Sequence, residues 1–300
     1  EKTIVATVVL HYGSLADTRA CIASVLCGCS VPARVIVVVN DSAGGAVRHL
    51  SSEFPEIEII ETCGNLGFAG GNNWGIRHAL ELGASHVVLL NNDTVVEPGF
   101  LEPLMAVFRE KSDAGMVTGP VLYASPPNRI WSAGGTIGGW TALTRHSFVG
   151  QPRSALPETV HETEYANGCF VMASKRCLET VGLMDERYFL YYEDTDWCAR
   201  VRKAGFKIYY TPGPAVLHKV SAGTQGRKAL FRYYCDRNSW YYARRNLPCY
   251  AAPVYLPVFV LRMAYRLAKA VVDRDGEAWR YALHTVRDVF GGRMGPYSGT

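Results

Sequence analysis

Acidic residues are scarce at the C-terminal end of this 300-residue chain, and basic ones are thin before it. Residues 200–300 hold 5 Asp and Glu against 18 Lys and Arg, whereas residues 1–199 hold 13 Lys and Arg against 22 Asp and Glu. The formal net charge of +4 conceals this asymmetry. A basic end suits an anionic partner such as a diphosphate, a lipid phosphate or a membrane surface, or else a solvated helical face. Charged residues make up 19% of the chain and apolar ones 48%, which excludes a disordered protein. The nine cysteines are odd in number and contain no Cys-x-x-Cys, and Cys27 and Cys29 stand too close for a typical zinc pair. Cys169, Cys177 and Cys198 lie in apolar or helical surroundings, so free buried thiols in a reducing, cytoplasmic compartment are expected. No signal-peptide pattern follows Glu1. The longest membrane candidate, Ala251–Leu261, is cut by Arg262 and is too short to span a bilayer. Internal repeats and low-complexity tracts are also lacking.

Present instead is an alternation of strands and helices. Thr3–His11 and Arg34–Val39 are rich in β-branched residues and read as buried strands, followed by Ile57–Ile60 and His86–Leu90. Leu15–Leu26 has helical spacing, and a glycine-rich loop, Gly64–Gly71, leads into a helix ending near Leu82. This order predicts an α/β fold, a parallel sheet covered on both faces, with ligands beyond the carboxyl ends of the strands. Met116–Tyr123 reads as one further strand, residues 125–165 as loops and short antiparallel strands, and Cys169–Ala173 as a strand. Helices are predicted over Lys175–Val181, Glu193–Ala204, Arg227–Asn246, Val258–Val272 and Glu277–Phe290, with Pro248, Pro253 and Pro257 breaking the chain between the third and the fourth.

Two acidic segments carry the chemistry. Val87–Thr94 reads VVLLNNDT, an apolar run ending in two amides and Asp93. Tyr191–Arg200 reads YYEDTDWCAR, with Glu193, Asp194 and Asp196 in four positions and His218 twenty-four residues after Asp194. A carboxylate at the end of a buried strand can bind Mg²⁺ or Mn²⁺, and a separate one can act as a base, so metal-assisted transfer of a phosphate-borne group is indicated. Each piece also has a plainer reading. Asp41 caps a turn as readily as it binds a nucleobase, and acidic residues favour a first helical turn. Asp196 and Arg200 read as a structural i,i+4 pair. The aromatic run Tyr188–Tyr192 is either a sugar-binding wall or core. The glycine-rich loop is neither a Walker A loop nor a Gly-x-Gly-x-x-Gly fingerprint after the first strand.

Taken together, VVLHYGSLADTRACIASVL, VIVVVNDSA, GNLGFAGGNNWGI, VVLLNNDTVVEPGFL, the stretch from NGCFVMASK to GFKIYYTP, and AVLHKVS make the chain resemble the inverting, GT-A-fold glycosyltransferases of family 2, in particular the bacterial rhamnosyltransferase-like branch. The resemblance covers about residues 3–246 and implies a catalytic domain over 1–246 and a basic, amphipathic helical extension over 247–300. It implies a dTDP- or UDP-linked sugar donor, best rhamnose from dTDP-rhamnose, with UDP-hexoses or galactofuranose as alternatives. By resemblance Asp41 contacts the base, Asn65 and Gly67 line the nucleotide pocket, and His11 and Asn92 belong to the donor site. Asn91 and Asp93 stand in for the family's Asp-x-Asp motif, Asp93 as metal ligand and Asn91 as a sugar or ribose contact; His218 is the second metal ligand. Gly168 borders the donor sugar, Asp194 is the general base, and Glu193 orients the acceptor.

The acceptor implied is a glycan or a lipid-diphosphate-linked sugar, with no nucleic acid involved. Arg262, Arg266, Lys269 and Arg274 share the extension with Val258, Leu261, Leu267 and Val271. Such a helix is suited to the anionic inner face of the cell membrane, or to packing on the catalytic domain or on a second copy in a homodimer. A nucleotidyltransferase is disfavoured because His11-Tyr12-Gly13-Ser14 is not a glycine-rich loop bearing Lys or Arg. A non-catalytic nucleotide-sugar or carbohydrate-binding module is the rival from another class.

Overall fold

The computed structural model describes residues 3–28, 33–40, 45–220 and 228–299. The first half winds β1 (Val5–His11), α1 (Leu15–Gly28), β2 (Ala33–Val39), α2 (Ala46–Glu53), β3 (Glu58–Glu61), α3 (Gly67–Glu81) and β4 (His86–Asn91). These four strands run parallel, β1 lying between β2 and β4 with β3 outside β2. Alternate residues serve opposite cores. Ala6, Val8, Leu10, Ile36 and Val38 pack with Ala69, Ile76 and Ala79 of α3. Val5, Val9, Val35, Val37 and Val39 pack with Cys21, Ile22 and Val25 of α1. Burial on both faces is why these strands read as unbroken apolar runs.

Beyond β5 (Thr94–Val96) and α4 (Glu102–Glu110), the expected single strand over 116–123 divides at Gly119-Pro120. Its first part, β6 (Ala114–Thr118), joins the main sheet, and its second, β7 (Val121–Tyr123), does not. Short strands follow: β8 (Ile130–Ser132), β9 (Gly135–Ile137), β10 (Thr144–His146) and β11 (His161–Thr163). Then come β12 (Phe170–Ser174), α5 (Lys175–Val181), α6 (Glu193–Lys203), β13 (Lys207–Tyr210) and β14 (Val216–His218). The main sheet has the order β11-β13-β6-β12-β4-β1-β2-β3, and a smaller one the order β5-β14-β7-β8. Because β12 is antiparallel to β4, its first residue sits at the carboxyl edge, Phe170 opposite Leu90.

The glycine-rich segment differs from expectation. The helix starts at Gly67, so Gly70, Gly71 and Gly75 lie inside it. A Cβ at Gly71 would overlap Leu10, and one at Gly75 would overlap Val8. These glycines bring α3 close to the sheet.

The chain ends in α7 (Lys228–Asn246), α8 (Ala252–Val272) and α9 (Gly276–Phe290). Pro253 and Pro257 do not break α8: Pro253 occupies its first turn, where no N–H partner is needed, and Pro257 lies inside it. Tyr255 and Phe259 pack on Trp240 of α7, with ring centroids 5.9 and 4.8 Å away, and they belong to the sheet's own core. Not all the basic residues of α8 lie on its solvent face. Arg262 and Arg266 turn inward to the buried Asp236, at 3.2 and 3.3 Å, since a buried carboxylate demands a partner. Val260, Leu261, Tyr265, Val271 and Val272 face outward, each at least 60% exposed. Among the described residues no helix is long and apolar enough to cross a membrane. The eight described cysteines are all free, four of them buried.

Candidate functional site

The carboxyl edge of the sheet collects most of the residues singled out above. β4 ends at Asn91, and the turn after it delivers Asp93. The antiparallel pairing of β14 with β5 sets His218 opposite Thr94, which brings His218 Nε2 to 3.1 Å from Asp93 Oδ1. Both side chains are buried. Burial works against a charge on His218, but the Cys169 sulfur and the Asp93 carboxylate outweigh it and push its pKa up to about 10. A cation bound here would displace the His218 proton, and one carboxylate oxygen beside one imidazole nitrogen then suits Mg²⁺ or Mn²⁺. Among the described residues no three His, Cys, Asp or Glu side chains converge on a common point, so an ion here would take its other ligands from substrate oxygens and water.

A second centre lies at the start of α6. Asp194 Oδ2 accepts a 2.5 Å hydrogen bond from the Tyr165 hydroxyl and a 3.2 Å bond from the Gly168 N–H. Its Oδ1 accepts from the Thr195 N–H at 2.7 Å and from the Thr195 hydroxyl at 3.3 Å. That hydroxyl has a nearer alternative in Thr144 Oγ1 at 3.1 Å, so Oδ1 of this half-buried carboxylate keeps room for one further proton. Glu193 is buried, and its Oε2 has no hydrogen-bond partner among the described residues. Burial first, then the neighbouring Asp194 charge, hold Glu193 well above the usual carboxylate range. Glu193 thus stands beside Asp194 with its charged form disfavoured and one carboxyl oxygen without a partner among the described residues. The expected structural pair is also present: Arg200 Nε lies 2.7 Å from the fully buried Asp196.

The turn leading into α6 is strained. Phe189, Tyr191 and Tyr192 have φ of 64°, 67° and 72°, a region that costs non-glycine residues of order 1–3 kcal/mol each. Its carbonyls are held from α7. The buried Asn238 amide donates to the carbonyls of Tyr188, Leu190 and Tyr191, and Arg237 donates to that of Tyr188. The Phe189 carbonyl accepts from the Phe68 N–H at 2.7 Å, tying this turn to the start of α3. Of the aromatic run, Tyr188 is wholly buried core, whereas Tyr191 and Tyr192 are partly open.

The expected donor residues occupy the same edge. His11 Nδ1 lies 2.7 Å from Thr18 Oγ1, to which Asn92 also donates at 2.9 Å. Asn65 Oδ1 accepts from the Gly67 N–H at 2.9 Å, and Asn40 donates to the Gly67 carbonyl at 3.0 Å. Asn91 is half-buried, its N–H bonded to the Cys169 carbonyl. A Cβ on Gly168 would lie 2.7 Å from the Phe68 ring, so only glycine lets Phe68 pack against the backbone here. Asp41 lies outside the described residues.

Sequence reasoning passes over Tyr165, Trp131 and His146. Trp131 lies with its ring centroid 4.6 Å from that of His218 and 4.6 Å from that of His146. The His146 ring is 5.5 Å from that of Tyr165. An unbroken row of side chains, Asp93, His218, Trp131, His146, Tyr165 and Asp194, thus joins the two centres. None of these three residues stands in a recognisable local motif.

Known proteins match this architecture. The model of the glycosyltransferase-like family 2 matches residues 3–243. A low-salt glycan biosynthesis hexosyltransferase of Haloferax volcanii is 25% identical over 217 residues, covering 70% of this chain and 67% of its own. A dTDP-rhamnosyl transferase of Shigella flexneri is 24% identical, with 70% and 71% covered. An N-acetylglucosaminyl-diphospho-decaprenol L-rhamnosyltransferase of Mycobacterium tuberculosis is 25% identical, with 71% and 78% covered. In three dimensions, a mannosyltransferase of Pyrobaculum calidifontis, solved with GDP-mannose and Mn²⁺, aligns with a TM-score of 0.56 at 15% identity, over 98% of this chain and 76% of that one. The fold is GT-A, and the chain belongs to the glycosyltransferase-like family 2.

Proposed function

We propose that this enzyme moves a sugar, best rhamnose from dTDP-rhamnose, onto a hydroxyl of a lipid-diphosphate-linked glycan, with inversion at the anomeric carbon. The observation that carries this reading is the Asp93–His218 pair and the Glu193–Asp194 pair standing at opposite ends of one row of side chains. Asp194 takes the proton of the acceptor hydroxyl, held in place by the Tyr165 hydroxyl and the Gly168 N–H. Glu193, whose charge is disfavoured by burial and by Asp194, orients the acceptor. Asp93 and His218 would hold a Mg²⁺ or Mn²⁺ ion, which stabilises the charge growing on the leaving diphosphate. The start of α3, whose backbone is fixed by Asn40 and Asn65, borders the nucleotide. The dTDP-rhamnosyl and decaprenol-diphosphate relatives support this choice of donor and acceptor, and the hexosyltransferase relative supports a hexose, read here as UDP-linked, as the second reading.

The outward face of α8, with Lys269 and Arg274 exposed at its C-terminal end, is read as the surface that meets an anionic membrane and the acceptor's lipid. Flotation with anionic vesicles, lost in a Val260→Glu/Leu261→Glu variant that keeps its fold, is the expected result. A stable dimer without lipid, broken by the same variant, would assign this face to a second copy instead.

The deciding experiment offers dTDP- and UDP-sugars with Mg²⁺ or Mn²⁺ and a lipid-linked acceptor, and reads nucleoside diphosphate release with Asp194→Ala alongside. Metal-dependent release from one donor, lost in the variant, is expected. Donor binding with no release under any of these conditions would make the chain a binding module.

A further inference from the structure

We propose that Trp131 and His146 form the wall against which the transferred sugar ring lies, with His146 hydrogen-bonding one of its hydroxyls. This inference rests on the transferase reading above and goes beyond it to name the residues that recognise the sugar. Three observations carry it.

The first is position. In a single displacement the anomeric carbon lies between the leaving oxygen and the attacking one. The leaving oxygen belongs at the Asp93–His218 end of the row and the attacking oxygen at the Asp194 end. The members between His218 and Tyr165 are Trp131 and His146, with ring centroids 4.6 Å apart. The second is chemistry. Trp131 and His146 are each only partly buried. An indole offers a flat apolar face to sugar C–H groups, and an imidazole beside it offers a polar edge. The third is an unpaired atom. His146 Nδ1 is buried and has no hydrogen-bond partner among the described residues, although buried polar atoms are nearly always paired. Burial also lowers the pKa of His146, with the Asp194 charge opposing and His218 assisting. A neutral imidazole can give one hydrogen bond and take another, as a sugar hydroxyl requires.

The local fold explains how these residues meet. Trp131 sits on β8, which pairs with β7, itself parallel to the β14 strand that carries His218. His146 ends β10, opposite Gly135 of β9. A Cβ on Gly135 would lie 2.9 Å from the Tyr165 ring. This glycine therefore leaves the space in which His146 and Tyr165 come together.

The test compares two ligands that differ only in the sugar. Binding of dTDP and of dTDP-rhamnose, each with Mn²⁺, is measured by calorimetry for the wild type, His146→Phe and His146→Asn, with UDP and UDP-glucose in parallel. In His146→Phe, nucleoside diphosphate affinity should stay within about twofold while nucleotide-sugar affinity falls about tenfold, the effect of one lost hydrogen bond. His146→Asn, which keeps a polar atom near Nδ1, should recover part of the loss. Equal weakening of both ligands, or no change in either, would overturn the inference. Should the phenylalanine variant prove unstable on melting, the asparagine variant alone must still separate the two ligands. Failure of the wild type to bind any diphosphate or nucleotide sugar would condemn the transferase reading itself.

Discussion

Asn238 Nδ2 lies 2.7 Å from the carbonyl oxygen of Tyr191, three residues before Asp194. The same amide reaches the carbonyls of Leu190 at 2.8 Å and Tyr188 at 3.1 Å, and its own oxygen accepts from Arg237 Nε at 2.9 Å. A fully buried side chain on α7 thus holds three bends of a backbone that would otherwise relax out of positive φ. Replacing it by alanine leaves the Leu190 and Tyr191 carbonyls short of a donor, while Arg237 still serves that of Tyr188, a loss of about 3 kcal/mol. Asn238→Ala should lower the denaturation midpoint. At temperatures where it is folded, its kcat should fall more than tenfold with nucleoside diphosphate affinity retained. A folded variant with unaltered kcat would show that the turn needs no such support.

The carboxylate of Asp194 is the only group the mechanism asks to take up a proton. Asp194→Asn keeps the shape and still accepts from Tyr165 and Gly168, yet cannot act as a base. Its kcat should fall by about 10²–10⁴, with donor affinity within about twofold of the wild type. Tyr165→Phe removes one orienting bond and should cost about tenfold. Steady-state kinetics beside donor titrations read both, and a matching loss of donor binding in Asp194→Asn would remove Asp194 from the role of base.

Much of this site is legible in the sequence because its chemistry sits in short runs. Asn91–Asp93 follows an apolar strand directly, and Glu193–Asp194 opens a helix, so adjacency in sequence marks adjacency in space. The parallel strands are legible for the same reason: burial on both faces leaves an unbroken apolar signature. Tyr165, Trp131 and His146 are not legible. They lie on or beside short strands in an irregular stretch, where three-residue elements carry no period, and only the pairing of β8 with β7 and of β10 with β9 brings them to the edge. Asn238 is hidden inside a helix as one polar residue among many. The glycines of α3 mislead because tight helix–sheet packing and a flexible loop call for the same residue. The arginines of α8 mislead because Asp236, their buried partner, lies on another helix.

Gly67 has a φ of +74°, and a Cβ there would overlap the carbonyl and ring of Phe189. The glycine is therefore the place where the nucleotide side of the site touches the turn that aims Asp194. Gly67→Ala has no cheap relaxation, because the obstacle includes backbone and the conformation is unfavourable to any side chain. The variant should lose at least about 2 kcal/mol of stability and, if recovered folded, both donor affinity and kcat. Gly64→Ala has positive φ but open space around it, and serves as the control for backbone strain alone. Indistinguishable behaviour of the two variants would show that the contact with Phe189 is of no consequence.

His86 opens β4 with its ring 4.6 Å from Phe108 and its Nδ1 3.1 Å from Ser85 Oγ. Burial lowers its pKa to about 4, against 6.5 for an exposed histidine. Above pH 6.5 neither the folded nor the unfolded chain carries a proton here, and the residue contributes nothing to the pH dependence. Between pH 6.5 and 4 the unfolded chain binds a proton that the folded one refuses, so stability falls as the pH falls; below pH 4 the loss levels off. A fully buried ring would lose about 3 kcal/mol over this window, and partial exposure of this one brings the figure to about 2 kcal/mol. Urea denaturation at about pH 7.5, about pH 6 and about pH 4.5 should therefore show a steeper acid loss for the wild type than for His86→Leu. The two curves should run parallel above pH 6.5. Equal slopes through the acid range would mean that His86 takes up its proton in the folded state as easily as in the unfolded one.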